Sequence, residues 1–404
     1  MNMTEVPALD LFAPDVLADP YPLYEWLRRH APVYRVPGTD RYLVATAELV
    51  AEACARTDDF SSHLTAALVQ GPEGPSSFDM TGGGNAVQVL ATADDPDHAA
   101  HRRLVLPNLV AKRIRALEPQ IDVLAERMWS EGLDGRLIDW AAVADRVPLA
   151  VVTRLIGLPD EDVPQLLAWS YDSTEMLGGV VTETDLTALT ASAARLAGHL
   201  YAAFERAQRD PRDDLLGDLA RACADGAVRA DEAVLILVQL VGAGGESTAA
   251  LIGSAARVLA DRADLQALVR ADPALVAPFL DEVLRYEPPF RGHHRHVTRQ
   301  TSLGGVPLAA GSHLTLLWGA ANRDPAVFEA PDEVRLNRPN LKSHMSFGRG
   351  THFCVGAALA RLEAQVVLRR LLEHSDHIEL VDAEWVPSML VRRQSRLVLS
   401  LRSE

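Results

Sequence analysis

Phe347-Gly348-Arg349-Gly350-Thr351-His352-Phe353-Cys354-Val355-Gly356 is the stretch from which the rest of the chain is read. Its closely spaced glycines permit a tight loop. The loop ends at Cys354, where the spacing of Ala357, Leu359, Ala360 and Leu362 predicts a helix. A cysteine at that junction sits at the positive end of a helix dipole, beside free backbone N–H groups. Both effects favour thiolate over thiol. An isolated cysteine is more often a small buried hydrophobe, and Cys54 and Cys223 are read that way.

Outward from this loop the chain reads as helical. Apolar residues make up 48% of the 404 and charged residues 23%, the mix of an ordinary globular protein. Aromatics are only 5%, which favours helix over sheet. A net charge of −16 argues against non-specific nucleic-acid binding. The three cysteines are widely separated and odd in number, so they form no disulfide scaffold. Neither a signal-peptide pattern nor an uninterrupted apolar run of membrane-spanning length is visible, so a cytoplasmic protein without a membrane anchor is expected. Periodicity predicts helices at about 97–109, 114–132, 140–156, 161–176, 183–209, 231–262 and 273–286. A hairpin is expected about Gly38-Thr39-Asp40, and strands at 294–298, 305–306, 314–317 and 397–401. Gly71 to Asn85, rich in glycine, reads as a long irregular loop. The helix at 231–262 is apolar on most faces (Val234, Leu235, Ile236, Leu237, Val238) and must cross the middle of the protein.

A thiolate in a dry glycine loop is a good axial ligand for haem iron. The segment Phe347 to Gly356 resembles the haem-binding signature of the cytochrome P-450 superfamily. The resemblance implies a mainly α fold with a minor β region, haem b sandwiched between the long central helix and the cysteine loop, and Cys354 as metal ligand. It also places Phe347, Gly348, His352 and Gly356 against the haem. Because the matching segments run from 97 to 361 without a break, the length is read as one domain over 1–404. Its β-rich parts are expected at about 33–60, 294–318 and 376–402.

Four further segments carry the resemblance. Glu282-Val283-Leu284-Arg285 fits the Glu-x-x-Arg motif, whose spacing puts both side chains on one helical face. Asn322-Arg323-Asp324-Pro325 through Arg338 resembles the following meander, and Arg338 is implied to complete a structural ion cluster with Glu282 and Arg285. His98 and Arg102, four residues apart on one face, are implied to meet the haem propionates, with Arg295 as a third cation. On the central helix, Ala243-Gly244-Gly245-Glu246-Ser247-Thr248 matches the distal haem segment, with Ala243 and Gly244 close to the haem. The family places an acid and a threonine there to handle protons. Here the acid is Glu246 and the next residue is Ser247, with Thr248 one further on. A relay through the Ser247 hydroxyl is expected; a serine bonded back to an upstream carbonyl is the alternative, and the two are compatible.

The resemblance implies a monooxygenase that inserts one oxygen atom of O2 into a hydrophobic small molecule, by hydroxylation or epoxidation. Phe290, Leu390 and Val391 are the expected substrate contacts. Further wall residues are expected in 61–95 and 170–190, with Leu64, Leu68, Val87, Val89, Met176 and Leu177 lending an apolar character. Arg291, His293 and His294 are candidates to meet a polar group of the substrate. No dinucleotide fingerprint follows a strand, so electrons are expected from a separate ferredoxin or flavodoxin. Arg102, Arg103, Lys112, Arg113, Arg115, Arg349 and Arg361 form its candidate basic docking patch. Two alternatives share the fold: a non-catalytic haem or ligand binder, and a peroxide-using member. The Glu246-Ser247 pair argues against the second.

Overall fold

The computed structural model describes residues 9–71, 73–82 and 86–402. Its axis is the helix Ala230–Asp261, within one residue of the expected bounds. Val234, Ile236, Leu237, Val241, Ala249, Leu251, Ile252, Ala255 and Leu259 are all buried. Helices Trp140–Ile156, Val163–Gly178 and Ala357–Glu373 pack around it. By length and composition this helix could cross a membrane, but 56% of its most apolar window is buried against these neighbours. Burial on several faces is what an all-round apolar helix requires.

Among the described residues the β structure falls into four small sheets. The largest has five strands in the order Val33–Arg35, Arg41–Val44, His313–Leu316, His293–Val297, Phe60–Ser61. The expected hairpin about Gly38 supplies its first two strands. A second sheet pairs His377–Trp385 with Gln394–Arg402 and continues to Leu137–Asp139. The strand expected at 305–306 is one arm of a hairpin, Thr301–Leu303 with Val306–Leu308.

The irregular loop expected over 71–85 is corrected by a two-stranded hairpin. Ala66–Gly71 pairs antiparallel with Gly74–Asp79, in the register Ala66↔Asp79 to Gly71↔Gly74. Residues 72 and 83–85 of that stretch lie outside the described residues. The outer strand, Gly-Pro-Ser-Ser-Phe-Asp, has almost no apolar alternation, so its pairing is carried by backbone hydrogen bonds that leave no side-chain signature. The helix Leu215–Ala224 was also unforeseen. Asp214 caps it by accepting from the Gly217 N–H at 2.8 Å. A Cβ on Gly217 would lie 2.0 Å from the Arg212 carbonyl oxygen, so that turn admits only glycine.

Strand alternation sorts the histidines of the five-stranded sheet. His293 and Arg295 face one side, and His294 and His296 the other, beside His313 and Arg41. Burial holds His294 neutral down to about pH 3 and His313 down to about pH 4, against an ordinary value of 6.5. Both folded values are depressed, so the unfolded chain binds more protons as pH falls below 6.5. Stability is therefore whole above pH 6.5 and is lost toward pH 4. Each histidine should cost on the order of 1–2 kcal/mol between pH 7 and 5. Thermal unfolding followed across that range should fall less steeply for His294→Leu than for the parent; identical slopes would refute the assignment.

Candidate active site

The cysteine loop is built by backbone hydrogen bonds. The Cys354 N–H donates to the Phe347 carbonyl at 2.8 Å, and the Gly348 N–H to that of Met345 at 2.8 Å. Gly348 and Gly350 both sit at φ +72°, a left-handed conformation that costs other residues about 1 kcal/mol or more. Arg361 lies 4.4 Å over the Phe347 ring and is tied to Asp281 by a 2.8 Å ion pair, which fixes the loop to the helix Val276–Tyr286.

Cys354 opens onto a cavity whose far wall is the central helix. Leu240, Ala243, Gly244, Ser247, Thr248 and Leu251 line it, at the i, i+3, i+4, i+7, i+8, i+11 spacing of one helical stripe. Gly356, Leu359, Ala360 and Glu363 form the matching stripe of the cysteine helix. Leu90, Ala91, Val152, Leu155 and Phe290 add apolar wall. Enclosure by protein pushes the Cys354 thiol up; the Gly356 and Ala357 N–H groups with Arg102 and Arg361 pull the other way without overcoming it. The helix terminus favours the thiolate, as that junction implies, and burial opposes it. A metal ion bound there would deprotonate the coordinating thiol.

One flank of the cavity is cationic. The His98 and His352 rings lie 4.0 Å apart, His98 Nδ1 is 3.2 Å from an Asp95 carboxylate oxygen, and Arg102 donates to the Phe353 carbonyl at 2.8 Å. Arg295 is 5% exposed and donates to the His294 carbonyl at 2.7 Å. His352 Nδ1 is buried without a partner among the described residues. Burial and the neighbouring His98 and Arg295 drop its pKa to about 3, and burial with Arg295 drops that of His293 to about 4. One sulfur opposite a bare helix stripe, with two arginines and uncommitted imidazole nitrogen on one side, fits a flat dianionic macrocycle such as haem.

A cytochrome P450 family model matches residues 249–392. Cytochrome P450 144 of Mycobacterium tuberculosis strain H37Rv is 52% identical over 394 residues, 97% of this chain and 91% of that one. This chain belongs to the cytochrome P450 family. The steroid C26-monooxygenase of the same strain is 29% identical, over 99% of this chain and 97% of its own. The crystal structure of CYP109E1 from Bacillus megaterium in complex with testosterone superposes with TM-score 0.86 at 26% identity, covering 96% and 99% of the two chains. The fold is that of a P450: mostly helical, with a minor β region. The protein is a P450 monooxygenase, and its family binds haem b through a cysteine thiolate.

The structure of this P450 brings most of the sequence-predicted residues together. His98, Arg102, Ala243, Gly244, Ser247, Thr248, Phe290, Arg295, Phe347, Gly348, His352, Cys354 and Gly356 all line the one cavity. Glu282, Arg285 and Arg338 meet away from it. Arg285 grips both Glu282 carboxylate oxygens at 2.7 and 2.8 Å, and Arg338 donates to one of them at 2.8 Å.

Several expectations are corrected. Glu246 turns away from the cavity: Arg393 Nε donates to it at 3.0 Å, and the Thr174 hydroxyl also donates to it. Burial raises its pKa, with Arg393 opposing. Consecutive helical residues point about 100° apart, so Glu246 and Ser247 do not share a face. Ser247 keeps its expected place: it faces the cavity, and its hydroxyl also donates to the Ala243 carbonyl at 2.6 Å, the bond to an upstream carbonyl expected as the compatible alternative. Leu390 and Val391 are absent from the cavity wall; Val391 is buried in a β-bridge with Phe290. Leu68 and Val89 are packed in the core, and among the described residues none of 170–190 lines the cavity. Arg291 is bonded to the Leu17 carbonyl and His294 lies on the opposite sheet face, whereas His293 does reach the cavity. Arg361 is spent on Asp281.

One residue the sequence reading missed is Glu363. It is 1% exposed, lines the cavity, and is pushed well above the usual carboxylate range by burial. Its carboxyl faces Thr248, and one oxygen has no partner among the described residues. Its place four residues after Leu359 on the cysteine helix was the available signal.

Proposed function

We propose that this P450 inserts one oxygen atom of O2 into a largely apolar small molecule, by hydroxylation or epoxidation, with electrons from a separate ferredoxin- or flavodoxin-type protein. The observation that carries the reading is Cys354 facing the Ala243–Thr248 stripe across a wall of Leu, Val, Ala and Phe. Haem, when bound, supplies the activation of dioxygen and its transfer to carbon. The chain's own residues do the rest. Cys354 would donate the thiolate, Arg102 and Arg295 would balance the propionate charge with His98 and His352 as hydrogen-bond partners, and the apolar wall excludes water and orients substrate. The whole chain is read as one such domain, soluble and cytoplasmic.

Protons have two hydroxyl stations on the stripe, Ser247 and Thr248. Glu363, whose carboxyl burial pushes well above the usual carboxylate range, is hydrogen-bonded to Thr248 and is the proposed proton donor to it. Glu246 is a positioning group, tied to Arg393 and Thr174. Ser247→Ala should raise the fraction of NADH consumed without product, and Glu363→Gln should do so further. Coupling ratios equal to the parent in both variants would remove this path.

Arg103, Lys112, Arg115 and Arg349 are exposed, as are Phe353 and Leu106, whereas Arg113 is paired with Asp213 at 3.6 Å. Within a chain of net charge −16 these cations form a local docking face for an acidic donor. Raising ionic strength from about 0.01 to 0.15 M shortens the Debye length from about 30 to 8 Å, so reduction by an acidic ferredoxin should slow severalfold. A salt-independent rate would refute the docking face. The reading as a whole is tested with a surrogate ferredoxin–reductase pair. Substrate-dependent NADH consumption with an oxygenated product is expected; ligand binding without turnover would favour a binder instead.

A further inference from the structure

The face of the five-stranded sheet opposite His293 and Arg295 carries a polar cluster that belongs to no part of the site above. In cross-strand register stand Arg41, His313 and His296, with Leu43, Thr315 and His294 in the next row. The hairpin of Ala66–Gly71 and Gly74–Asp79 closes over them. From it, Ser77 accepts from Arg41 Nε and Nη2 at 3.1 and 2.9 Å. Thr65, just before it, reaches His313 Nε2 at 2.8 Å and His296 Nδ1 at 3.4 Å. None of these residues lines the Cys354 cavity.

Arg41 is 2% exposed, yet its Nη1 has no partner among the described residues, and neither has either ring nitrogen of His294. Asp40, half-exposed and 3.3 Å from His313 Nδ1, acts electrostatically on Arg41. Beyond His296, His63 and Asp94 pair at 3.6 Å near the surface. A buried guanidinium costs several kcal/mol unless it is paired and hydrogen-bonded, and a serine hydroxyl brings no charge. The histidines do not add to the positive charge, since burial and Arg41 keep His294 and His313 neutral. A neutral imidazole still offers one N–H. The cluster therefore presents one fixed positive charge with the uncommitted Arg41 Nη1 group and one N–H of His294, which suits an oxyanion and repels a metal cation.

We propose that Arg41, His294 and Ser77 form a binding site for a small oxyanion, inorganic phosphate or the carboxylate of a short acid, which clamps the hairpin onto the sheet. The hairpin is also tied to the end of the helix Val163–Gly178. The Gln70 N–H in the hairpin donates to the Gly179 carbonyl at 2.8 Å, and the chain beyond the hairpin leads to Leu90 and Ala91 in the cavity wall.

The test is thermal unfolding of the haem-loaded protein in sodium phosphate and, separately, sodium acetate, with ionic strength held constant by sodium chloride. A saturable rise in Tm of roughly 1–3 °C is expected with at least one of the two ions. A response to phosphate alone assigns the site to phosphate, and one to acetate assigns it to carboxylates. The rise should disappear in Arg41→Met and in His294→Leu; if Arg41→Met does not fold, His294→Leu and Ser77→Ala carry the comparison. No saturable rise in the parent, or an equal rise in the folded variants, overturns the proposal. So does a Soret shift caused by the ion itself, which would place it in the haem cavity.

Discussion

Cys354→Ser should leave a folded protein whose reduced carbonyl complex lacks the red-shifted Soret band of a thiolate-ligated haem, and whose oxygenation activity falls to background. The backbone N–H that ties residue 354 to the Phe347 carbonyl at 2.8 Å survives the change, as does the Arg361–Asp281 pair at 2.8 Å. The His98, Arg102, Arg295 and His352 flank is untouched, so haem content should drop only in part. What is lost is the soft anionic donor. A serine hydroxyl is far harder to ionise than a thiol, and the thiol itself is already pushed up by its enclosure. A red-shifted band retained in Cys354→Ser would show that another group holds the metal. Cys54→Ser and Cys223→Ser are the controls and should keep band and turnover, since neither residue lines the cavity.

Glu282→Ala should lower stability by about 3–5 kcal/mol, because it leaves buried guanidiniums without their carboxylate. The Glu282 and Arg285 side chains are 0% exposed and that of Arg338 3%. Their remaining donors hold the meander: Arg285 bonds the Pro331 and Glu333 carbonyls at 2.7 and 2.8 Å, and Arg338 bonds those of Ala330 and Glu333 at 2.9 and 2.7 Å. From there Asn322 passes the constraint to the cysteine loop, accepting from the Met345 N–H at 2.7 Å and donating to Ser346 at 2.8 Å. The expected result is a lower Tm together with haem lost during purification. The pair Arg257–Asp261 is as short, 2.7 Å, but its side chains are 28% and 46% exposed. Asp261→Ala should therefore change stability by less than about 1 kcal/mol. Equal losses in the two variants would refute a special role for the buried cluster.

The parts of the site that were legible are those carried by local spacing. Glu282 and Arg285 are three apart on one helix, His98 and Arg102 four apart, and Cys354 stands where a glycine loop becomes a helix. Such relations follow from backbone geometry alone, and the structure keeps each of them. Glu363 was equally legible in principle, four residues beyond Leu359, but a lone glutamate on a helix is ordinarily solvated, and nothing local distinguishes a buried one. The 66–79 hairpin was illegible for a different reason. Its outer strand alternates nothing, and its stability comes from backbone pairing and from what it covers.

By itself the sequence determined that this is a mainly helical P450 built on a cysteine loop, with an all-round apolar helix through its centre. Periodicity, turn residues and short spacings are properties of the chain that no partner has to supply. Tertiary structure decided which way the buried groups point. Glu246 is claimed by Arg393, 147 residues away, and so leaves the cavity to Ser247 and Thr248. Val391 closes on Phe290 instead of on the cavity, and Arg41 is enclosed beneath a distant hairpin. Where a helix or sheet is buried on more than one face, apolar pattern no longer says which face meets the site, and charge pairing between remote segments settles it.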